Sequence, residues 1–313
     1  MGLIKPERVK ELETDMKANF QKGIESEKVD TSHLAFSMVV PSNSASNTYE
    51  WMGEMVDVTE WVGPRKLGNV QMIVYEVHNK SWENSIKVTE MDLMNNNLAG
   101  RYLNAQALGT RIKSHPAKLN YEVLANGHLN LCYDGQNFFD KEHPVYEKND
   151  GTGKVNLVSN MDDSGEEGSL AWYLMDTTDI TLPMITQPRT QIRFMTNGRT
   201  DESEAFFMEK EIKFGADYYG NVGYGFWYKA YRSTAPLTPE NLKKAYLAMT
   251  AFEANGGRNL GVSPNSLVIP KLLKFKAIDV LKRTIIDGST NPLYELLEVL
   301  ESGHLNTVPK TEG

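Results

Sequence analysis

Over residues 5–24 the apolar side chains Val9, Leu12, Met16, Phe20 and Ile24 recur at steps of three and four, with mostly charged residues between them. That spacing lays a single stripe along one side of a helix. A helix with one apolar stripe must bury it elsewhere, so this terminal segment has to dock on the chain's own core or on another chain. The chain has enough material for a core: 313 residues, 40% hydrophobic, suit one large or two ordinary domains.

Beyond the first helix, residues 25–47 are polar and rich in Ser and Asn, interrupted by the apolar run Leu34 to Val40, and predict an extended arm. Residues 70–77 and 86–89 alternate as strands about a polar connection, Asn79 to Asn84, which predicts a long β-hairpin. Such a ribbon is marginal in water on its own and needs a larger surface beneath it. Leu98, Tyr102, Ala105, Leu108 and Ile112 trace a helix expected to stop near His115-Pro116. A second, shorter helix would follow, capped by Ser114 and ended by Gly127 in the left-handed conformation.

Gly-, Asn- and Asp-rich sequence up to Gly168 predicts an exposed loop. Short β-branched and aromatic runs at 172–174, 190–195, 205–208 and 211–213 predict one antiparallel sheet. Thr238-Pro239-Glu240 marks a helix start, Leu267 to Pro270 a short buried strand, and Leu272, Phe275, Ile278, Leu281 and Ile285 one more helical stripe. Strands and helices in separate runs indicate an α+β protein.

Few motifs of chemistry survive inspection. Cys132 lies near His128, Asp134 and His143, so a thiol nucleophile with a histidine base can be written. A lone cysteine between Leu131 and Tyr133 reads better as a small buried hydrophobe. Asp134, Asp140 and His143 lack zinc or calcium spacing, and their Asp-Gly and His-Pro pairs read as turn makers. Asn160, Asp162, Ser164 and Gly165 imitate the opening of a calcium loop, but Ala171 stands where its bidentate Glu is required. Gly151-Thr152-Gly153-Lys154 lacks the leading glycine of a phosphate loop, and Val155 replaces its Ser or Thr. No catalytic residue, cofactor or metal ligand is therefore assigned.

The net charge of −8 argues against a general nucleic-acid binder, and the single cysteine rules out an intrachain disulfide framework. No apolar run approaches the roughly 20 residues that cross a bilayer. Tyr218, Tyr219, Tyr224, Phe226, Trp227 and Tyr228 have too few cations nearby, chiefly Lys229 and Arg232, to form a nucleic-acid stacking platform. Interleaved Gly215, Gly220, Gly223 and Gly225 point instead to close-packed strands.

The segment Leu131-Cys132-Tyr133-Asp134-Gly135-Gln136-Asn137-Phe138-Phe139-Asp140-Lys141-Glu142-His143-Pro144 resembles a signature of the major head proteins of Mu-like tailed phages. Tyr49 to Gly53, Glu60 to Gly63, Trp172 to Asp176 and Asn221 to Trp227 resemble that family's other motifs, in its order. So do Leu260 to Pro270 and the ending from Asn291-Pro292 to Leu305-Asn306.

The resemblance implies the Hong Kong 97-type capsid fold, with an N-terminal arm, an extended β-hairpin loop, a peripheral domain and an axial domain. By analogy residues 1–48 are the helix and arm, and 49–92 the extended loop. Residues 93–130 and 170–235 are the peripheral domain with its spine helix and sheet; 131–169 and 236–313 are the axial domain and loops.

The implied function is a major capsid protein that self-assembles through hexamers and pentamers into an icosahedral head around double-stranded DNA. Phe20, Trp51, Trp61, Tyr75, Trp82, Phe138 and Phe139 are the candidates for contacts between subunits. The implied partners are further copies of the chain, a portal, a decoration protein where the head carries one, and packaged DNA contacted non-specifically, with no membrane. Because the sequence starts almost at the arm, a separate scaffold protein is expected too. The chain would be made in the bacterial host cytoplasm and end in the virion. The rival readings are a nanocompartment shell of encapsulin type and a Cys132/His143 hydrolase.

Overall fold

A computed structural model describes residues 6–53, 75–149, 151–197, 210–286 and 288–306. Along the chain come α1 (Pro6–Ile24), β1 (Ser37–Val39), β2 (Ser46–Thr48), β3 (Glu76–His78), β4 (Lys80–Thr89), α2 (Glu90–Met94) and the long α3 (Ala99–Ala125). Short strands follow: β5 (His143–Tyr146), β6 (Val155–Val158), β7 (Met161–Asp162), β8 (Trp172–Met175), β9 (Met184–Pro188) and β10 (Arg193–Thr196). The remainder is β11 (Glu211–Tyr224), β12 (Ala230–Ser233), α4 (Pro239–Thr250), β13 (Ser266–Pro270), α5 (Lys274–Leu281), β14 (Ile285–Ile286), β15 (Ser289–Thr290) and β16 (Glu298–Ser302).

The stripe of α1 is buried by its own chain. Val9, Leu12, Met16 and Phe20 are almost fully enclosed, packed with α3 residues such as Ala105 and Leu108 and with Val88, Ile212 and Phe214 of the sheet. Burying such side chains stabilises by about 1.5–3 kcal/mol each, so docking needs no neighbouring subunit. The two helices touch backbone to backbone. A Cβ on Gly23 would stand 2.0 Å from the Gln106 carbonyl oxygen, and one on Gly109 would stand 2.3 Å from that of Phe20. The Thr110 hydroxyl donates to the Gly23 carbonyl at 3.0 Å across the same crossing.

The expected break at Pro116 does not occur: α3 runs through it as one helix of 27 residues. Proline lacks the N–H that would bond the Ile112 carbonyl, a cost of about 3 kcal/mol in a helix interior. Packing on both sides of the gap outweighs it, because Leu108 and Ile112 are buried under α1 and the first sheet, and Tyr121 and Leu124 in the main core. Ser114 caps nothing and donates back to the Thr110 carbonyl at 2.8 Å. Gly127 is not left-handed either. It is glycine because a Cβ there would stand 2.7 Å from the Phe139 ring.

The first sheet runs β1-β9-β11-β10, with β4 also on β11. All ten residues of β4 pair antiparallel with β11, from Lys80 opposite Gly220 to Thr89 opposite Glu211. Residues 80–84 are therefore strand and not the connection of a hairpin, and β3 pairs with β2 instead of β4. The reason lies in β11, whose inward Ile212, Phe214, Ala216 and Tyr218 need a partner strand carrying Trp82, Ile86 and Val88 on the same face. Residues 70–74 of the expected hairpin, and 205–208 of the expected sheet, lie outside the described residues. Within the apolar run Leu34 to Val40 of the expected arm, β1 adds to β9 in parallel.

The second sheet runs β16-β13-β8-β12-β7. The sequence predicts one sheet from Trp172 onward, yet β8 and β12 leave β9, β10 and β11 to join β13 and β16. Trp172, Tyr173, Leu174 and Met175 are all buried, so β8 is a central strand covered on both faces and not an alternating one. The start of α4 is as expected: the Thr238 hydroxyl accepts from the Asn241 amide at 3.3 Å with Pro239 in the first turn. β13 is fully buried, again as expected.

Substituting Gly109→Ala should destabilise the chain by about 1–3 kcal/mol, because the new methyl meets backbone that cannot step aside. Gly100→Ala, in the same helix with open space around it, should be neutral or stabilising by up to about 1 kcal/mol. Urea unfolding of both variants checks this, and equal effects would contradict the close crossing.

Candidate functional site

The signature loop is held by a polar cluster that the sequence places far apart. Asp134-Gly135 makes a tight turn, with Gly135 at φ +84 and its N–H on the Cys132 carbonyl. The turn aims the Asp134 carboxylate inward. Oδ1 accepts from the Cys132 thiol at 3.1 Å and the Gln136 amide at 3.0 Å, while Oδ2 meets His143 Nδ1 at 2.6 Å. On its other side His143 Nε2 lies 3.2 Å from Asn160 Oδ1. The Asn160 amide nitrogen faces three carbonyls, those of Phe138, Trp227 and Ala230. That fixes its orientation, so Nε2 of the imidazole carries a proton and donates.

His143 is fully buried and stacked on Trp227, centroids 4.0 Å apart and planes within 4°. Burial and then the Asp134 charge push the Cys132 thiol well above its ordinary range. Burial also raises the Asp134 carboxyl, but hydrogen bonds from His143, Cys132 and Gln136 outweigh it and hold the group below its usual value. Neither effect makes a nucleophile: the thiol stays protonated, and both nitrogens of His143 are engaged by Asp134 and Asn160 instead of the sulfur.

The sulfur, the carboxylate and the imidazole nitrogen lie within 4.8 Å of one another, close enough to grip an ion. Their donor atoms are instead committed to each other, and the cluster ties the signature loop to Asn160 and the Trp227 turn. Asp140, the other residue of the sequence cluster, accepts from the amides of Lys141 and Glu142 as a turn maker.

The candidate contact residues divide sharply. Phe20, Phe138 and Phe139 are at most 4% exposed and pack inside the subunit's own core. Phe138 stacks on Tyr224 at 4.6 Å and meets Phe139 edge-on at 4.7 Å. Half-buried Tyr75 accepts the Tyr224 amide at 2.8 Å, and half-buried Trp82 donates to the Gly220 carbonyl at 3.0 Å. Trp61 and the side chain of Trp51 lie outside the described residues. The aromatic run Tyr218 to Tyr228 is mostly core: Tyr218, Tyr224, Phe226, Trp227 and Tyr228 are all buried.

Sequence reasoning missed the face that is open. On α5, Ala277, Val280 and Leu281 point into the core, while Leu272 just before it and Phe275 and Ile278 on it are 67%, 77% and 42% exposed. A helix apolar on two sides has one side more than its own core uses. The signal was present in Ala277 and Val280, each one residue before a member of the expected stripe, with Leu281 the one stripe residue on α5 that is buried.

This layered α+β chain, with the long helix α3 packed on its first sheet, is like capsid subunits of tailed phages among solved structures. The chain is similar to the subunit in the procapsid of bacteriophage JBD30, at TM-score 0.83 and 37% identity over 96% of this chain and 100% of that one. It is also similar to the JBD30 capsid decorated with minor capsid protein trimers, at TM-score 0.73 and 30% identity over 89% and 92%. The major capsid protein of Escherichia phage Mu is 35% identical over 295 residues, 94% of this chain and 96% of the relative. The model of the Mu-like prophage major head subunit gpT family matches residues 9–305, and the chain belongs to that family. It has the Hong Kong 97-type fold of such capsid proteins.

Removing the carboxylate with Asp134→Ala should cost about 1–3 kcal/mol, as the buried His143 Nδ1 and Cys132 thiol lose their hydrogen-bond partner. The sign with pH follows from the lowered carboxyl: its contribution is present above the unfolded value of about 3.9 and is lost as pH falls through the lower folded one. The gap in unfolding free energy between wild type and Asp134→Asn should therefore shrink below about pH 4. A gap that does not change with pH would contradict the pairing.

Proposed function

We propose that this major capsid subunit assembles in many copies, through hexamers and pentamers, into an icosahedral head around double-stranded DNA. The observation that carries the reading is the exposed apolar face of Leu272, Phe275 and Ile278. Large exposed apolar side chains grouped on one helix mark a surface used in association. Multivalency supplies the strength: each contact can be weak and correctable, while closure makes loss of one copy require breaking several contacts together.

In this reading residues 49–92 carry the extended loop, and Trp51 and Trp61 remain the aromatic anchors for neighbouring subunits. Half-buried Tyr75 and Trp82 are proposed as further contacts with neighbouring subunits. A separate scaffold protein directs assembly, a portal occupies one vertex, and the packaged DNA is met non-specifically by a subunit of net charge −8. The JBD30 head is decorated with minor capsid protein trimers, and an equivalent decoration partner is proposed here. The subunit is made in the host cytoplasm and resides in the virion.

Electron microscopy of the chain co-expressed with its scaffold tests this. Closed shells of uniform diameter are expected; a population that stays monomeric under every assembly condition would overturn the reading.

A further inference from the structure

The second sheet has two ends of opposite character. At one end β13 and β16 run parallel, joined by the crossover that contains α5. Residues 271–283 there hold Lys271, Lys274, Lys276, Lys282 and Arg283 against one acid, Asp279, in a chain whose net charge is −8. Lys274, Lys282 and Arg283 are paired within the chain, to Glu301, Glu295 and Asp279. Exposed Lys271 and Lys276, which flank Leu272 and Phe275, have no ion pair among the described residues.

At the opposite end β7 pairs only with β12 among the described strands and leads into residues 163–168, where Glu166 and Glu167 are exposed. The outer face of α4 adjoins that loop, since Lys244 bonds Asp162 at 2.8 Å. One turn further along α4, Leu247 is 61% exposed.

A ring closed by rotation needs two different faces on each copy, one for the neighbour ahead and one for the neighbour behind. These two fit the requirement: they lie at opposite ends of one sheet, each has an exposed apolar residue, and Lys271 and Lys276 of the first, unpaired among the described residues, are opposite in sign to Glu166 and Glu167 of the second, where exposed Lys243 stands on α4 one turn before Leu247. We propose that the face of Leu272, Phe275 and Ile278 docks on the Glu166, Glu167 and Leu247 face of a second copy, head to tail. The proposal rests on the capsid reading above and names the surfaces through which rings of subunits close. Apolar contact supplies the burial, and the lysine and glutamate pairs at the rim set the register.

Charge exchange tests it in the full chain assembled with its scaffold. Lys271→Glu with Lys276→Glu, and separately Glu166→Lys with Glu167→Lys, should each lower shell yield on the order of tenfold through like-charge juxtaposition. All four substitutions in one chain should restore it, because the pairing is only reversed. All four substituted residues are exposed, so circular dichroism and melting of the free subunit should match wild type. If wild type forms shells and the single-face variants do so equally well, the docking is overturned while the capsid reading stands. Loss in both variants without restoration in the combined chain also overturns it, and shows that the lysine face meets another partner. Failure of wild type to form shells overturns the capsid reading, and the docking with it.

Discussion

The backbone contact between α1 and α3 at Gly23 and Gly109 decides what the rest of the chain is free to do. Only glycine allows the two helices to approach until a Cβ would overlap a carbonyl oxygen. At that distance Val9, Leu12, Met16 and Phe20 reach across to α3 and the first sheet, and the amphipathic helix becomes internal. Helix α3 is then gripped from two sides, which lets it keep Pro116 in its interior. Association is moved away from the terminal helix and on to the second sheet.

The signature segment serves the same division of labour. Its aromatic residues fill the core, and its polar residues form a closed network in which a fully buried histidine is bonded on both nitrogens. Such networks are poor sources of net stability against an apolar core of the same shape, but breaking one partner is costly. The network therefore fixes one conformation of the loop that bridges α3 and the second sheet. A subunit that must meet identical copies at many positions in a shell gains from that definition.

Legibility from the sequence followed the physics of each element. The helix at α1, the cap at Thr238 and the buried strand β13 were readable because periodicity, capping chemistry and an unbroken apolar run are local signals. The break at Pro116 was misread because the local penalty is real and only long-range packing outweighs it. The division into two sheets was not legible, since strand partners are chosen by contacts far apart in sequence, such as Lys80 with Gly220. The polar cluster was half visible: Cys132, Asp134 and His143 stood out as a group, whereas Asn160, which orients the imidazole, looked like part of a failed calcium loop. Aromatic residues were poor guides to the outer surface, because Phe138 and Phe139 are drawn inward by the same hydrophobicity that made them look like anchors. Family resemblance supplied the shell, which composition alone left open.

The central claim is that the chain closes its own core, terminal helix included, and is covered by its copies at the ends of the second sheet. Hydrogen–deuterium exchange of the free subunit against assembled shells tests this most directly. The account predicts new protection at residues 163–168 and 271–278 on assembly, with α1 and the facing half of α3 already protected in the free subunit. Free exchange along α1 before assembly, with protection gained there and none at residues 271–278, would contradict it.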